Sequence, residues 1–226
     1  LMYLYMGHMK YNHIKPYEDW FWNKNRIELI FDRVVSLDTK HKKLTLQDGG
    51  LVEWDELVLA TGSVYNKFGW PGEDLLGVCG MYSYQDLLDI EKYTQNIDSG
   101  VIVGGGLIGI ELAEMLHSRG IHVNFLVRES SFWNGVLPGQ ESRMINRHIR
   151  DHNIDLRLNA ELKEILPDDR GRVRAVKTTD NEEIPCRFVG LTAGVKPNIA
   201  FLKGSGIETD KGDRKSTRLN SSHRLR

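Results

Sequence analysis

The stretch VIVGGGLIGIE, residues 101–111, constrains this chain more than any other. An apolar run enters three consecutive glycines, and helical periodicity starts at once after them. Gly104, Gly106 and Gly109 stand in GxGxxG spacing, with Ala113 four positions further on. Each glycine has its own physical task. Gly104 permits a tight turn from strand to helix, Gly106 lets backbone approach a pyrophosphate with no Cβ between them, and Gly109 lets the helix lie close against the strand. The spacing alone is a weak signal. Here a β-like run precedes it, a helical pattern over 107–119 follows, and a second strand, IHVNFLV (121–127), comes next, which is the context the motif needs. Gly109, Leu112, Ala113 and Leu116 fall on one helical face, and Glu111, Glu114 and Ser118 on the other. The unpaired amides and the dipole of such a helix start suit phosphate charge. The pattern predicts a dinucleotide site on a βαβ unit.

The remainder of the chain reads as mixed α/β. IELIF (27–31) and RVVSLD (33–38) are short β-branched runs, and 42–62 reads as a hairpin turning at Asp48-Gly49-Gly50. LVLA (57–60) is apolar on both faces, as a buried strand is. A short helix is expected over 84–93, and another, opened by Pro138, over 139–153. A strand at 154–160 follows. Segments 161–166, 172–179 and 183–194 then predict a strand meander, with turns at Asp168-Asp169 and Asp180-Asn181. Residues 1–24 are rich in Tyr, Trp, Met and His without a period, and no element is assigned there.

Composition narrows the function. The net charge of −1 offers no general attraction to nucleic acid or to an anionic membrane. The longest apolar stretch, 101–115, is interrupted by Glu111 and Glu114 and is too short to span a bilayer. The opening LMYLYMGHMK has neither the basic start nor the cleavage site of a signal peptide. Cys79 and Cys186 form no CxxC and no metal spacing, so buried thiols in a cytoplasmic setting are expected. His148 and His152 have helical i, i+4 spacing, but Arg147 and Arg150 surround them and no catalytic Glu follows His148. A solvated face is the expectation there. Tyr17, Trp20 and Trp22 lie beside Glu18 and Asp19 without a basic groove, so packing is expected rather than base stacking.

The choice of nicotinamide turns on the end of the second strand, where an acid would bond the ribose 2′-OH and an arginine would accept a 2′-phosphate. The sequence VNFLVRE puts Val127 where an acid is common, followed by Arg128 and Glu129. Both signals are present, and the choice between NADH and NADPH stays open.

Four motifs together resemble the FAD/NAD(P)-linked pyridine nucleotide oxidoreductase family, over about residues 25–211. They are RVVSLD (33–38), WDELVLATGS (54–63), GGGLIGIE (104–111) and GVKPN (194–198). The resemblance implies a Rossmann-like NAD(P) domain over 98–211, inserted in an FAD domain of which 1–97 is a part. It implies Val34, Ala60, Thr61 and Gly62 at the FAD, and Gly104, Gly106, Gly109 and Gly194 at the NAD(P). Glu111 would lie near nicotinamide and flavin, and Arg128 and Glu129 at the adenosine end. NAD(P)H would pass a hydride to flavin, and the electrons would go on to an acceptor such as a ferredoxin- or rubredoxin-type carrier. Peroxide, disulfide or quinone reductases, and a nucleotide-binding redox sensor without turnover, are the alternatives. The proline common after ATGS in this family is replaced by Val64-Tyr65. Oligomeric state is not legible.

The family's first GxGxxG and its C-terminal flavin segment are not among these residues, so truncation at both ends is expected. DRKSTRLNSSH (213–223) resembles the translation of a sequencing-library adapter. On that reading 213–226 is a non-native, disordered tail.

Overall fold

The computed structural model describes residues 1–210, 213–214 and 224–225. In chain order the elements are α1 (Met2–Tyr5), α2 (Tyr11–Ile14), α3 (Asp19–Lys24), β1 (Val34–Asp38), β2 (Lys43–Leu46), β3 (Leu51–Glu53), β4 (Leu57–Val58) and β5 (Ser63–Tyr65). After these come β6 (Val78–Cys79), α4 (Tyr84–Tyr93), β7 (Ser99–Val103), α5 (Leu107–Ser118), β8 (His122–Val127), α6 (Gly139–Asp151) and β9 (Asp155–Leu158). The last are β10 (Leu162–Pro167), β11 (Val173–Thr178), β12 (Glu183–Pro185), β13 (Phe188–Leu191), β14 (Val195–Pro197), a 3₁₀ turn at Ala200–Leu202, and the two-residue strands β15 (Thr209–Asp210), β16 (Asp213–Arg214) and β17 (Arg224–Leu225). Two compact units form. One holds Leu1–Ile14 with Tyr65–Val195, the other Lys15–Val64 with Lys196–Arg226.

The first unit is three-layered. Its parallel sheet has the order β6-β13-β7-β8-β9. The period-2 alternation of strands divides the side chains between two cores. From β7, Ile102 points to the helical side with Leu112, Phe125 and Phe188, while Val101 and Val103 pack with the meander residues Ile165, Val176 and Ile184. The meander is the antiparallel sheet β10-β11-β12. The segment 65–97, placed by sequence before a boundary at 97/98, contributes β6 and α4 to this unit.

Local chemistry fixes the helix ends. Ser83 and Asp86 form a capping box at α4. At the end of α5, Gly120 takes φ +74° and the amides of Gly120 and Ile121 return to His117 and Leu116. At the end of α6, Asn153 (φ +59°) and Ile154 do the same to Arg150 and Ile149. These are paired six-to-one and five-to-two closures, one built on Gly and one on Asn. The N-terminal residues, unassigned by sequence, give α1, whose Tyr5 is buried with its hydroxyl 2.7 Å from Thr94 Oγ1 and the Arg119 guanidinium 3.4 Å over its ring.

In the second unit β1, β2 and β3 form an antiparallel sheet. The β2–β3 turn uses one positive φ, at Gly49 (+91°), and Asp48 Oδ1 accepts from the Gly50 amide at 2.8 Å, an Asx turn that replaces the second left-handed residue. The short ladders β15 with β16 and β4 with β17 are also here. The rest of the 213–226 tail lies outside the described residues.

Three expectations are corrected. Residues 27–31 form no strand, and Phe31 is 92% exposed, because β propensity without a partner edge makes no ladder. Within 57–60 only Leu57–Val58 is a strand, and Val58 is 67% exposed, so the run is not buried on both faces. The stretch 183–194 is not one strand. Glu183–Pro185 stays in the meander, while Phe188–Leu191 enters the parallel sheet between β6 and β7. Pro185 sits at a non-bonded position on the edge strand β12, where its missing amide costs no ladder bond, and the Cys186 amide still donates to Arg174 O at 3.0 Å. Beyond it, four consecutive buried residues suit a strand covered on both faces.

Candidate functional site

The glycine turn lies in the mouth of a cavity of about 670 Å³ within the first unit. Gly104, Gly106, Arg128, Glu129 and Gly194 all line it. Sequence spacing brings the first two together; the fold adds the others from the ends of β8 and β13.

Gly104 takes φ +121°, and a Cβ there would lie 2.7 Å from Ala193 N and from Thr192 C. Its own amide donates to Leu126 O at 3.0 Å, tying the turn to the end of β8. Only glycine meets both demands. Gly109 is buried on the inner face of α5, where a Cβ would lie 2.2 Å from Gly104 O, 2.9 Å from Thr192 Oγ1 and 3.0 Å from Phe125 Cε2. Its hydrogen is what lets the helix sit on the sheet, and it does not itself line the cavity. Gly106 is different in kind. It is the N-cap of α5 at φ −99°, and a Cβ built there meets nothing within 4 Å. The space a Cβ would fill is open, at a residue that lines the cavity.

No side chain caps α5 and no acid stands in its first turn. The first-turn amides thus have no intrahelical partner, and the positive end of the dipole stands beside the cavity. This cradle fits a pyrophosphate. A volume of this size also lies in the range of small-molecule sites.

Thr192 holds the floor. It is buried, its amide donates to Val103 O at 2.9 Å, and its hydroxyl is shared between Val103 O (3.0 Å) and Gly104 O (3.2 Å). Gly194, at φ +87°, follows two residues later and accepts from the Asn66 amide at 3.0 Å. The far wall carries Phe68 and Trp70, with ring centroids 5.0 Å apart, and Trp133. Trp133 holds φ +54°, a left-handed conformation uncommon for so large a side chain. Its loop is pinned by Asn146, which accepts from the Phe132 amide at 2.9 Å and donates to Ser131 Oγ at 2.7 Å. Sequence reasoning missed Thr192, Phe68, Trp70 and Trp133. Only Thr192 had a signal, since LTAG (191–194) repeats the small-polar ending of LATG (59–62).

Glu111 stands exposed on α5, outside the cavity lining. Val34, Ala60, Thr61 and Gly62 belong to the other unit. Val34 starts β1, paired with Leu46. Ala60 and Gly62 are exposed, with Gly62 at φ +64°, and Asn198 fixes this turn by donating from its amide to Gly62 O at 3.0 Å. An exposed backbone edge of this kind fits contact with a flavin but does not by itself enclose one.

The two thiols are buried and unpaired. Burial pushes Cys186 up to about 12 and Cys79 higher still. His152 Nδ1 lies 2.8 Å from His148 O on an exposed face of α6. Among the described residues no group of three or more His, Cys, Asp and Glu is placed to hold a metal, and no helix is long and apolar enough to cross a membrane.

Comparison with known proteins agrees with this geometry. Residues 8–221 match the profile of the family described as pyridine nucleotide-disulphide oxidoreductase. The chain belongs to that family. A nitrite reductase [NAD(P)H] of Bacillus subtilis is 28% identical over 196 residues, covering 86% of this chain and 24% of the relative. An NADH-rubredoxin oxidoreductase of Clostridium acetobutylicum is 29% identical over 199 residues, covering 86% and 47% respectively. Among solved structures, a ferredoxin reductase from Rhodopseudomonas palustris superposes with a TM-score of 0.79 at 26% identity, over 89% of this chain and 50% of that one. The chain of this oxidoreductase family member therefore spans from about a quarter to about a half of the relatives it matches.

Proposed function

We propose that this chain is the nicotinamide-binding part of an FAD-dependent NAD(P)H oxidoreductase, with the dinucleotide pyrophosphate on the amides that open α5. The observation that carries the reading is Gly106, a helix N-cap without a side-chain cap that lines the cavity and has open space where a Cβ would stand. The likeness to a rubredoxin oxidoreductase and a ferredoxin reductase supports a small redox protein as electron acceptor. Two buried, unpaired thiols accord with a cytoplasmic setting.

The chain's own residues bind and orient. The α5 amides and dipole neutralise phosphate charge, Gly104 and Gly109 set the height of the helix above the sheet, and Thr192 and Gly194 close the floor of the cavity. Glu111 projects from α5 to orient the carboxamide of the nicotinamide, a positioning role that makes transfer effectively unimolecular. When bound, the nicotinamide supplies the hydride and the flavin takes it up, so that step needs no acid or base from the protein. Ala60, Thr61, Gly62 and Val34 supply backbone edges on the flavin side.

Stopped-flow reduction of flavin in the full-length protein tests the reading. Rapid bleaching of the flavin by NADH or NADPH, followed by turnover with a carrier protein, is expected. Binding without steady turnover identifies a sensor instead, and no nucleotide binding at all removes the proposal.

A further inference from the structure

The cavity runs past the glycine turn to the end of β8, where a site of this kind distinguishes the two nicotinamide dinucleotides. The inference rests on the dinucleotide reading above. β8 ends on Val127, which is fully buried, with Cγ1 2.7 Å from where a Gly105 Cβ would lie. Val127 therefore packs beneath the glycine turn and offers no acceptor to a ribose hydroxyl. Strand alternation sends the next side chain the other way, and Arg128 lines the cavity.

The backbone around Arg128 is fixed on both sides. Ala160 donates its amide to Val127 O at 3.1 Å, and Asn159 donates to Glu129 O at 3.0 Å. The guanidinium donates to Glu129 Oε1 at 3.1 Å, with the Arg128 side chain 72% exposed. A pair so exposed is weak and exchanges readily for a phosphate dianion, which guanidinium binds in a forked, charge-assisted geometry. Glu129 also lines the cavity and is the rival reader, an acceptor for a free 2′-OH. With Arg128 bonded to its carboxylate, that acceptor is partly engaged in the free protein. We infer that Arg128 reads a 2′-phosphate, so that this chain takes NADPH in preference to NADH.

Calorimetric titration of the 226-residue chain with 2′,5′-ADP and with 5′-AMP tests this. The 2′-phosphorylated nucleotide should bind about ten- to a hundredfold more tightly, the value of one charge-assisted contact. Arg128→Gln should abolish that ratio, with the loss falling far more heavily on 2′,5′-ADP than on 5′-AMP, while Arg128→Lys keeps part of it. The ratio should also fall as salt is raised. Equal affinities in the wild type, equal losses for both nucleotides in Arg128→Gln, or loss of 5′-AMP binding in Glu129→Gln would each overturn the inference. NADPH and NADH binding with equal strength overturns it too, and leaves the dinucleotide site standing. A folded chain that binds neither mononucleotide nor dinucleotide removes the site itself.

Discussion

A single methyl group, placed in turn at two glycines, separates what the turn does for the fold from what it does for the ligand. In Gly109→Ala the new carbon lies 2.2 Å from Gly104 O, and ordinary contact begins near 3.4 Å. Gly104 cannot yield, since its amide is bonded to Leu126 O and its carbonyl meets the Thr192 hydroxyl. The helix must therefore lift by about 1 Å. Overpacking of this kind costs about 1–3 kcal/mol, and alanine's helix propensity returns about 1 kcal/mol of it. The net loss of about 0–2 kcal/mol lowers Tm by up to about 8 °C in a chain of this size. The lift also stretches the amide-to-phosphate bonds beyond hydrogen-bond length, so nucleotide affinity falls about ten- to a hundredfold. In Gly106→Ala the φ of −99° suits any residue and nothing lies within 4 Å of the new carbon. Stability then falls by no more than about 1 kcal/mol, since alanine is a poorer N-cap than glycine but restricts the unfolded chain, yet affinity falls, because the methyl occupies the space the pyrophosphate enters. Thermal unfolding without ligand and calorimetry with NADPH read the two effects separately. Unchanged nucleotide affinity in Gly106→Ala, with the fold intact, would refute the cradle; unchanged Tm together with unchanged affinity in Gly109→Ala would refute the close contact of helix and sheet.

Cys79 and Cys186 are buried with raised thiol pKa values, Cys186 at about 12, so a chromogenic disulfide at pH 8 should label them only as fast as the protein unfolds; rapid labelling of the native chain contradicts the packing. Asp38 accepts from the amides of His41 and Lys40 and contacts the His41 ring, which holds its pKa at about 2. A depressed carboxyl contributes above its ordinary pKa near 4 and loses the contribution as pH falls towards 2, so NMR should show the Asp38 carboxyl titrating near 2, with the Lys40 and His41 amides following it. Ser83→Ala removes the hydroxyl that accepts from the Asp86 amide at 3.2 Å; a loss of about 0.5–2 kcal/mol and faster exchange of that amide are expected, and unchanged exchange would show the cap to be idle. Glu111→Gln, on an exposed helix face, should leave Tm alone and slow flavin reduction in the full-length protein, whereas equal rates remove Glu111 from the transfer.

Where a sequence segment carries its own boundary chemistry, it was legible. Ser83 with Asp86, the glycine turn, and Gly120 and Asn153 after their helices announce α4, α5 and α6 from within a few residues. Elements defined by distant partners were not. Tyr5 is one aromatic anchor held by Thr94 and Arg119 rather than part of a periodic face, so nothing local marks α1. The run 27–31 has strand composition and no partner edge, and 183–194 hides a change of sheet behind Pro185. The site divides the same way. Gly104 and Gly106 are fixed by motif, whereas Thr192, Trp70 and Trp133 reach the cavity from separate parts of the chain, and only topology brings them there.

The place of β13 in the sheet has a consequence during synthesis. The ribosome delivers β7, α5 and β8 long before residues 188–191, yet β13 lies between β6 and β7. Until it arrives, the nascent βαβ unit carries a naked edge beside Val101 and Val103 and has no Thr192 to close its floor. Folding here must wait for a late, non-local pairing, the kind that slows two-state domains and exposes them to aggregation. A ribosome stalled before residue 188 would therefore hold a half-built sheet in need of a chaperone.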